Sequence, residues 1–173
     1  MEKTSDSQAW RVVQTRSRSE KKTAAFIEAM GVKSYLPLQK RKKQWSDRTK
    51  TVEEPLFPGY LFAQFEEGQR YPLLNAPGVV RIVSFGGKYA SVSEAQIDAL
   101  QKLAYLDSEV VVVDEELACG QEVYITSGPF QNLTGRLIRH NGKGKLLIEF
   151  SAIGQGLLVE LGNTKIISKV ASL

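Results

Sequence analysis

The chain has 173 residues, 42% of them hydrophobic, and 23 Lys and Arg against 19 Asp and Glu give it a formal net charge of +4. That composition supplies a core for one ordinary domain or two small ones, and no apolar run is long enough to span a membrane. The single Cys119 excludes an internal disulfide and a cysteine-based zinc site, and an apolar filler role is expected for it.

Residues 1–8 are polar and mixed in charge, so they are expected to be disordered, to carry no secretion signal and to leave the protein in the cytoplasm. Trp10-Arg11-Val12-Val13-Gln14-Thr15 reads as a first strand. Ser17 followed by Glu20 has the capping-box spacing, which predicts a helix from there to a stop at Gly31, with Phe26 and Met30 one turn apart. Ser34 to Leu38 reads as a second strand. The basic run that follows, from Lys40 to Lys50, reads as a hairpin or a long loop, and Trp45 is out of place in so polar a stretch.

Glu54-Pro55-Leu56-Phe57-Pro58-Gly59-Tyr60-Leu61-Phe62 then packs several apolar anchors around a Pro-Gly bend. The prolines keep the residues before them extended, and Tyr60 to Phe65 has the aromatic-rich character of a strand buried on at least one face. Tyr71 to Leu74 reads as a helical turn, Gly78 to Val83 as a strand and Gly86-Gly87 as a turn. Ser93 with Gln96 repeats the capping-box spacing and predicts a helix with Ile97, Leu100, Leu103 and Ala104 on one face.

From Asp107 the composition turns acidic around Val110 to Val113, marking either a strand or an extended linker. Beyond Gly120 short alternating segments take over: Glu122 to Thr126, Gly135 to His140, Lys145 to Phe150 and Gly156 to Leu161. Gly128-Pro129, Asn141-Gly142 and Gly154 separate them, a pattern for a small β-barrel. The catalytic inventory is thin. His140 is the only histidine, no nucleophile or metal constellation accompanies it, and the Gly142-Lys143-Gly144-Lys145 run lacks the spacing of a phosphate-binding loop. No enzyme activity and no cofactor are expected.

The C-terminal pattern Gly120-x-x-Val123-x-Ile125-x-x-Gly128-Pro129-Phe130-x-x-Leu133-x-Gly135 resembles the KOW motif. The full order resembles the NusG family: Trp10-x-Val12-Val13, a capped helix, Pro55 to Phe62, Gly78-Val79-Val80-x-x-Val83, then KOW. The segment from Glu54 to Phe62 is similar to RfaH-type antiterminators, and Tyr35-Leu36-Pro37-Leu38 with Trp45-Ser46-Asp47-Arg48-x-Lys50 to UpxY-type antiterminators of capsular polysaccharide operons. The implied fold is α+β: an N-terminal NGN α/β sandwich with an antiparallel sheet flanked by helices (9–106), a linker (107–118) and a C-terminal KOW β-barrel (119–173).

The resemblance implies a monomeric elongation factor that docks on the clamp helices of the largest RNA polymerase subunit through Phe57, Pro58, Tyr60, Phe85, Ile97 and Leu100. It implies contact with upstream or non-template DNA through Arg16, Arg18, Lys42, Lys43, Trp45, Arg48 and Lys50. Trp45 either stacks on an unpaired base or packs against its own hairpin. Phe130, Leu133 and Ile153 stand where the KOW domain meets a partner such as a ribosomal protein. The alternatives are a general housekeeping elongation factor and a KOW-containing ribosome-associated or RNA-binding protein.

Overall fold

The computed structural model describes residues 9–104, 111–114, 120–140, 143–160 and 166–168. The backbone divides into two compact units, Met1–Val92 and Ser93–Leu173.

In the first unit β1 (Trp10–Thr15) is the central strand. On one side it pairs antiparallel with β5 (Tyr60–Gln64), which in turn pairs with β2 (Lys33–Tyr35). On the other side two short strands share its edge, β6 (Val79–Ile82) along Val13 to Thr15 and β9 (Ser91–Val92) along Trp10 and Arg11. Between them Val83 donates to the Val12 carbonyl and Val12 to that of Ala90, and the chain makes a small excursion, β7 (Ser84–Phe85) and β8 (Lys88–Tyr89), around Gly86-Gly87. Period-two alternation divides the sheet's residues between its faces. Val13, Leu61, Ala63 and Ile82 pack with Ala24 and Ile27 of α1 (Glu20–Ala29) and Leu73 of α2 (Glu67–Leu74). Trp10, Val12 and Phe62, also buried, belong to the opposite face.

The helix ends follow local chemistry in part. α1 stops in a Schellman arrangement, with Gly31 at φ 78°, Gly31 N donating to the Glu28 carbonyl and Val32 N to that of Ile27. The capping box expected at its start is absent: the residue flanking the helix is Ser19, whose side chain makes no capping bond, and Arg18 before it takes φ 62°. The second box is present, as Ser93 Oγ accepts from Gln96 N at 3.2 Å and Gln96 Oε1 accepts from Ser93 N at 3.1 Å at the head of α3 (Glu94–Leu103). The expected strand from Ser34 to Leu38 is interrupted at Leu36-Pro37, and the helical turn expected at Tyr71 to Leu74 is the end of the longer α2.

The basic run is a hairpin, β3 (Leu38–Gln44) and β4 (Thr49–Pro55), paired with no other sheet among the described residues. In the second unit six antiparallel strands follow one another in the order β10 (Val111–Asp114), β14 (Gln155–Glu160), β13 (Lys143–Phe150), β12 (Thr134–His140), β11 (Gln121–Ile125), β15 (Ile166–Ser168). Four residues of the expected linker are thus a strand, paired with Gln155 to Leu158. A Cβ on Gly135 would lie 2.9 Å from the Leu147 carbonyl, which accounts for glycine where β12 crosses β13. The disordered start expected for residues 1–8, the Asn141-Gly142 turn and Cys119 fall outside the described residues.

Candidate functional site

Two Pro-Gly bends flank the end of β1, and each is fastened to α1. Tyr60 N donates to the Phe57 carbonyl and Val79 N to that of Ala76, both at 3.1 Å, with Gly59 and Gly78 at φ 82° and 89°, so both are type II turns. Thr15 N reaches the Gly59 carbonyl and Arg16 N that of Gly78, each at 2.8 Å. From α1, the buried Glu20 carboxylate accepts from Gly59 N at 2.9 Å, and the Thr23 hydroxyl donates to the Pro77 carbonyl at 3.1 Å. Arg16 and Arg18 emerge exposed between these bends. Neither Glu20 nor Thr23 belonged to the expected site, because their partners lie 39 and 54 residues away.

The expected polymerase-facing residues divide by burial. Phe57 is fully buried, its ring edge-on to Phe62 with centroids 6.4 Å apart. Pro58 is exposed and Tyr60 half-buried on the same turn. Phe85 is 64% exposed beside the Gly86-Gly87 turn. Ile97 and Leu100 are buried on α3. Of the six, Pro58, Tyr60 and Phe85 therefore offer side-chain surface, while Phe57, Ile97 and Leu100 offer packing.

The expected nucleic-acid residues of the hairpin share one arm, with Lys43 and Lys50 on one face and Lys42 on the other. Its strands pair in register from Leu38↔Pro55 to Gln44↔Thr49, closed by Trp45 N donating to the Arg48 carbonyl at 2.8 Å. Cross-strand partners share a face, so Gln39, Arg41, Lys43, Lys50, Val52 and Glu54 lie on one side and Lys40, Lys42, Gln44, Thr49, Thr51 and Glu53 on the other. Residues 41 to 51 are all exposed, with Trp45 at 56%. The arm carries six Lys and Arg against Asp47, Glu53 and Glu54. Lys43 forms an ion pair with Glu54, which holds the Glu54 carboxyl below its usual pKa; slight burial opposes this, and the charges of Lys43, Arg41 and Lys21 add to it. Lys21 at the head of α1 donates to the Glu53 carbonyl at 2.9 Å and so joins the arm's base to the Arg16 and Arg18 turn.

In the second unit the expected partner anchors Phe130 and Leu133 are buried, at 4% and 7%, and only Ile153 keeps partial exposure. They fill the turn after β11, where Ile125 N donates to the Leu133 carbonyl and Leu133 N to that of Phe130. Gln96 has a second use beyond its cap: its Nε2 donates to the Glu149 carbonyl of β13 at 3.0 Å. Glu149 itself pairs with Arg136 at 3.0 Å. Among the described residues no His, Cys, Asp and Glu group is placed to hold a metal ion, and no helix is long and apolar enough to cross a membrane.

The family model described as "NusG: Transcription termination factor nusG" matches residues 8–101, more than half of the chain. The transcription termination/antitermination protein NusG of Pasteurella multocida is 25% identical over 181 residues, covering 93% of this chain and 95% of that protein. The protein of the same name from Thermus thermophilus is 25% identical over 130 residues, covering 69% and 71%. The solved structure "Domain interaction in Thermotoga maritima NusG" shares the fold with a TM-score of 0.54 at 24% identity, over 91% of this chain and 96% of that one.

Proposed function

The chain belongs to the NusG family of transcription termination and antitermination factors, and from that premise we propose that it is a specialised antiterminator acting on a restricted set of long operons, such as those for capsular polysaccharide. Its NGN domain (9–106) binds the clamp helices of the largest RNA polymerase subunit, a linker (107–118) that includes the strand Val111–Asp114 follows, and a KOW domain (119–173) recruits a further factor. Docking in this way closes the clamp around the nucleic acids and disfavours pausing and release. No bond is made or broken, and the protein acts as a cytoplasmic monomer.

The contact with polymerase uses Tyr60, Pro58 and Phe85 as surface anchors, and Phe57, Ile97 and Leu100 as buried residues of the elements that carry it. Aromatic anchors carry most of the energy of such interfaces. Arg16, Arg18, Lys42, Lys43, Trp45, Arg48 and Lys50 face upstream or non-template DNA. Phosphate contacts by the cations give salt-dependent affinity, and Trp45 offers a stacking platform worth ~1–3 kcal/mol per unpaired base. In the KOW domain Ile153, in the turn between β13 and β14, meets the partner, and Phe130 and Leu133 pack the separate turn after β11.

The observation that carries this reading is the β3–β4 arm. It has no apolar face to bury, holds six cations, and ends in a half-exposed tryptophan. An arm with that chemistry suits a polyanion better than a protein core. A general elongation factor is the second reading, favoured by the 93% coverage of the match to the Pasteurella protein. Chromatin immunoprecipitation separates the two: occupancy confined to a few operons supports the specialised factor, and occupancy of nearly every transcribed gene overturns it.

A further inference from the structure

The hairpin's register creates an electrostatic conflict on one face and none on the other. On the first face Lys43 stands directly opposite Lys50, whereas on the second Lys40 stands opposite Glu53. Like charges directly opposed across a strand pair are destabilising and opposite charges stabilising. Arg48 in the adjacent turn adds a third cation beside Trp45. With no anion across the strand, Lys43 takes its partner from further down β4, at Glu54, whose own cross-strand neighbour is Gln39.

We propose that Glu54 is a built-in counter-ion that competes with nucleic-acid phosphate for Lys43, so that the hairpin tip closes on a phosphate by exchanging one anion for another. The proposal rests on the reading of the arm as nucleic-acid-facing. The two side chains of the pair are 51% and 33% exposed, so it sits in solvent, where such pairs contribute little and exchange partners readily. A phosphate arriving between Lys43 and Lys50 relieves their opposition, and a base on Trp45 is positioned by the same turn. The tip face supplies cations and one aromatic but no aliphatic cluster, which fits a phosphodiester backbone rather than an acidic protein surface.

Fluorescence anisotropy on the full chain tests this with single-stranded DNA and RNA oligonucleotides of one mixed sequence and with a polyglutamate peptide, each at two salt concentrations. The expected result is that Glu54→Gln binds the oligonucleotide about two- to five-fold tighter, the range open to an exposed pair. Its log–log salt slope should change by less than one phosphate contact on a single strand, about 0.7, because Lys43 meets phosphate in both complexes. Glu53→Gln removes the same charge from the other face and should tighten binding less. In a Lys43→Gln background the gain from Glu54→Gln should largely disappear, and circular dichroism of each variant excludes unfolding as the cause.

Equal gains from Glu54→Gln and Glu53→Gln would reduce the effect to bulk charge and overturn the counter-ion, while leaving the nucleic-acid arm standing. So would unchanged or weaker binding by a folded Glu54→Gln. A wild-type chain that binds polyglutamate and neither oligonucleotide would overturn the arm reading and the counter-ion with it. DNA and RNA arms that differ identify which backbone is recognised.

Discussion

The carboxylate of Glu20 accepts the amide proton of Gly59 at 2.9 Å, so the first turn of α1 holds the bend that opens β5. Glu20 is 5% exposed, and Gly59 stands just ahead of Tyr60, where the pairing of β5 with β1 ends. Glu20→Ala leaves that amide without its acceptor and should cost ~1.5–3 kcal/mol, the range for a hydrogen bond to a charged group. Glu20→Gln keeps an acceptor oxygen and should cost less. Urea denaturation of the two variants checks the order, and equal losses would show that the bond itself is not what matters.

The two Pro-Gly bends give a second, internal comparison. Both glycines have positive φ, so alanine at either is strained by ~1–2 kcal/mol. A Cβ on Gly59 meets nothing closer than the Thr15 carbonyl at 3.8 Å, whereas one on Gly78 falls 2.1 Å from the Thr23 hydroxyl, which must then abandon the Pro77 carbonyl. Gly78→Ala should therefore lower the midpoint of thermal unfolding clearly more than Gly59→Ala. A reversed order would mean that Thr23 moves aside freely.

These bends show what the sequence discloses and what it withholds. Pro58-Gly59 announces a turn by itself, because proline presets one torsion and glycine supplies the other. That the turn is latched by Glu20 is invisible, since the contact joins residues distant in the chain; the spacing Ser17 to Glu20 even suggested a local role for the same carboxylate. The Ser93 to Gln96 box, with the same pattern, does form. The difference lies at Arg18, whose left-handed conformation shifts the helix entry to Ser19. In the arm, composition marks a basic run that reads equally as a hairpin or a long loop, and which cation opposes which depends on a four-residue connection, 45–48, that carries no glycine to fix its register in advance.

Aromatic residues around the first bend illustrate the same limit, with a consequence for experiment. Phe57 and Tyr60 flank it symmetrically in sequence, yet Phe57 is fully buried against Phe62 and Tyr60 only in part. Phe57→Ala should destabilise the fold by ~3–5 kcal/mol, as large-to-small changes in cores do, and any loss of polymerase binding would follow from that. Phe85→Ala, at a site 64% exposed, should leave the unfolding curve nearly unchanged while weakening capture of RNA polymerase in a pull-down. Retention of full capture by a folded Phe85→Ala, Tyr60→Ala double variant would remove the proposed docking edge.

The Lys43–Glu54 pair also sets a pH response. Hydrogen bonding to Lys43 is the leading reason that the Glu54 carboxyl titrates below its ordinary value, and the neighbouring charges of Arg41 and Lys21 act in the same direction. A carboxylate whose pKa is depressed by folding contributes stability that is present above the unfolded value, about 4.3, and is lost as pH falls through the folded one. The pair should thus hold at neutral pH and open only in acid, below the range where an unpaired glutamate titrates. Carbon-detected NMR of the Glu54 carboxyl measures this directly: its midpoint should lie below that of an exposed glutamate and rise toward it in Lys43→Gln. An unshifted midpoint in the wild-type chain would mean that the pair is not populated in solution, leaving Lys43 without an anion to exchange.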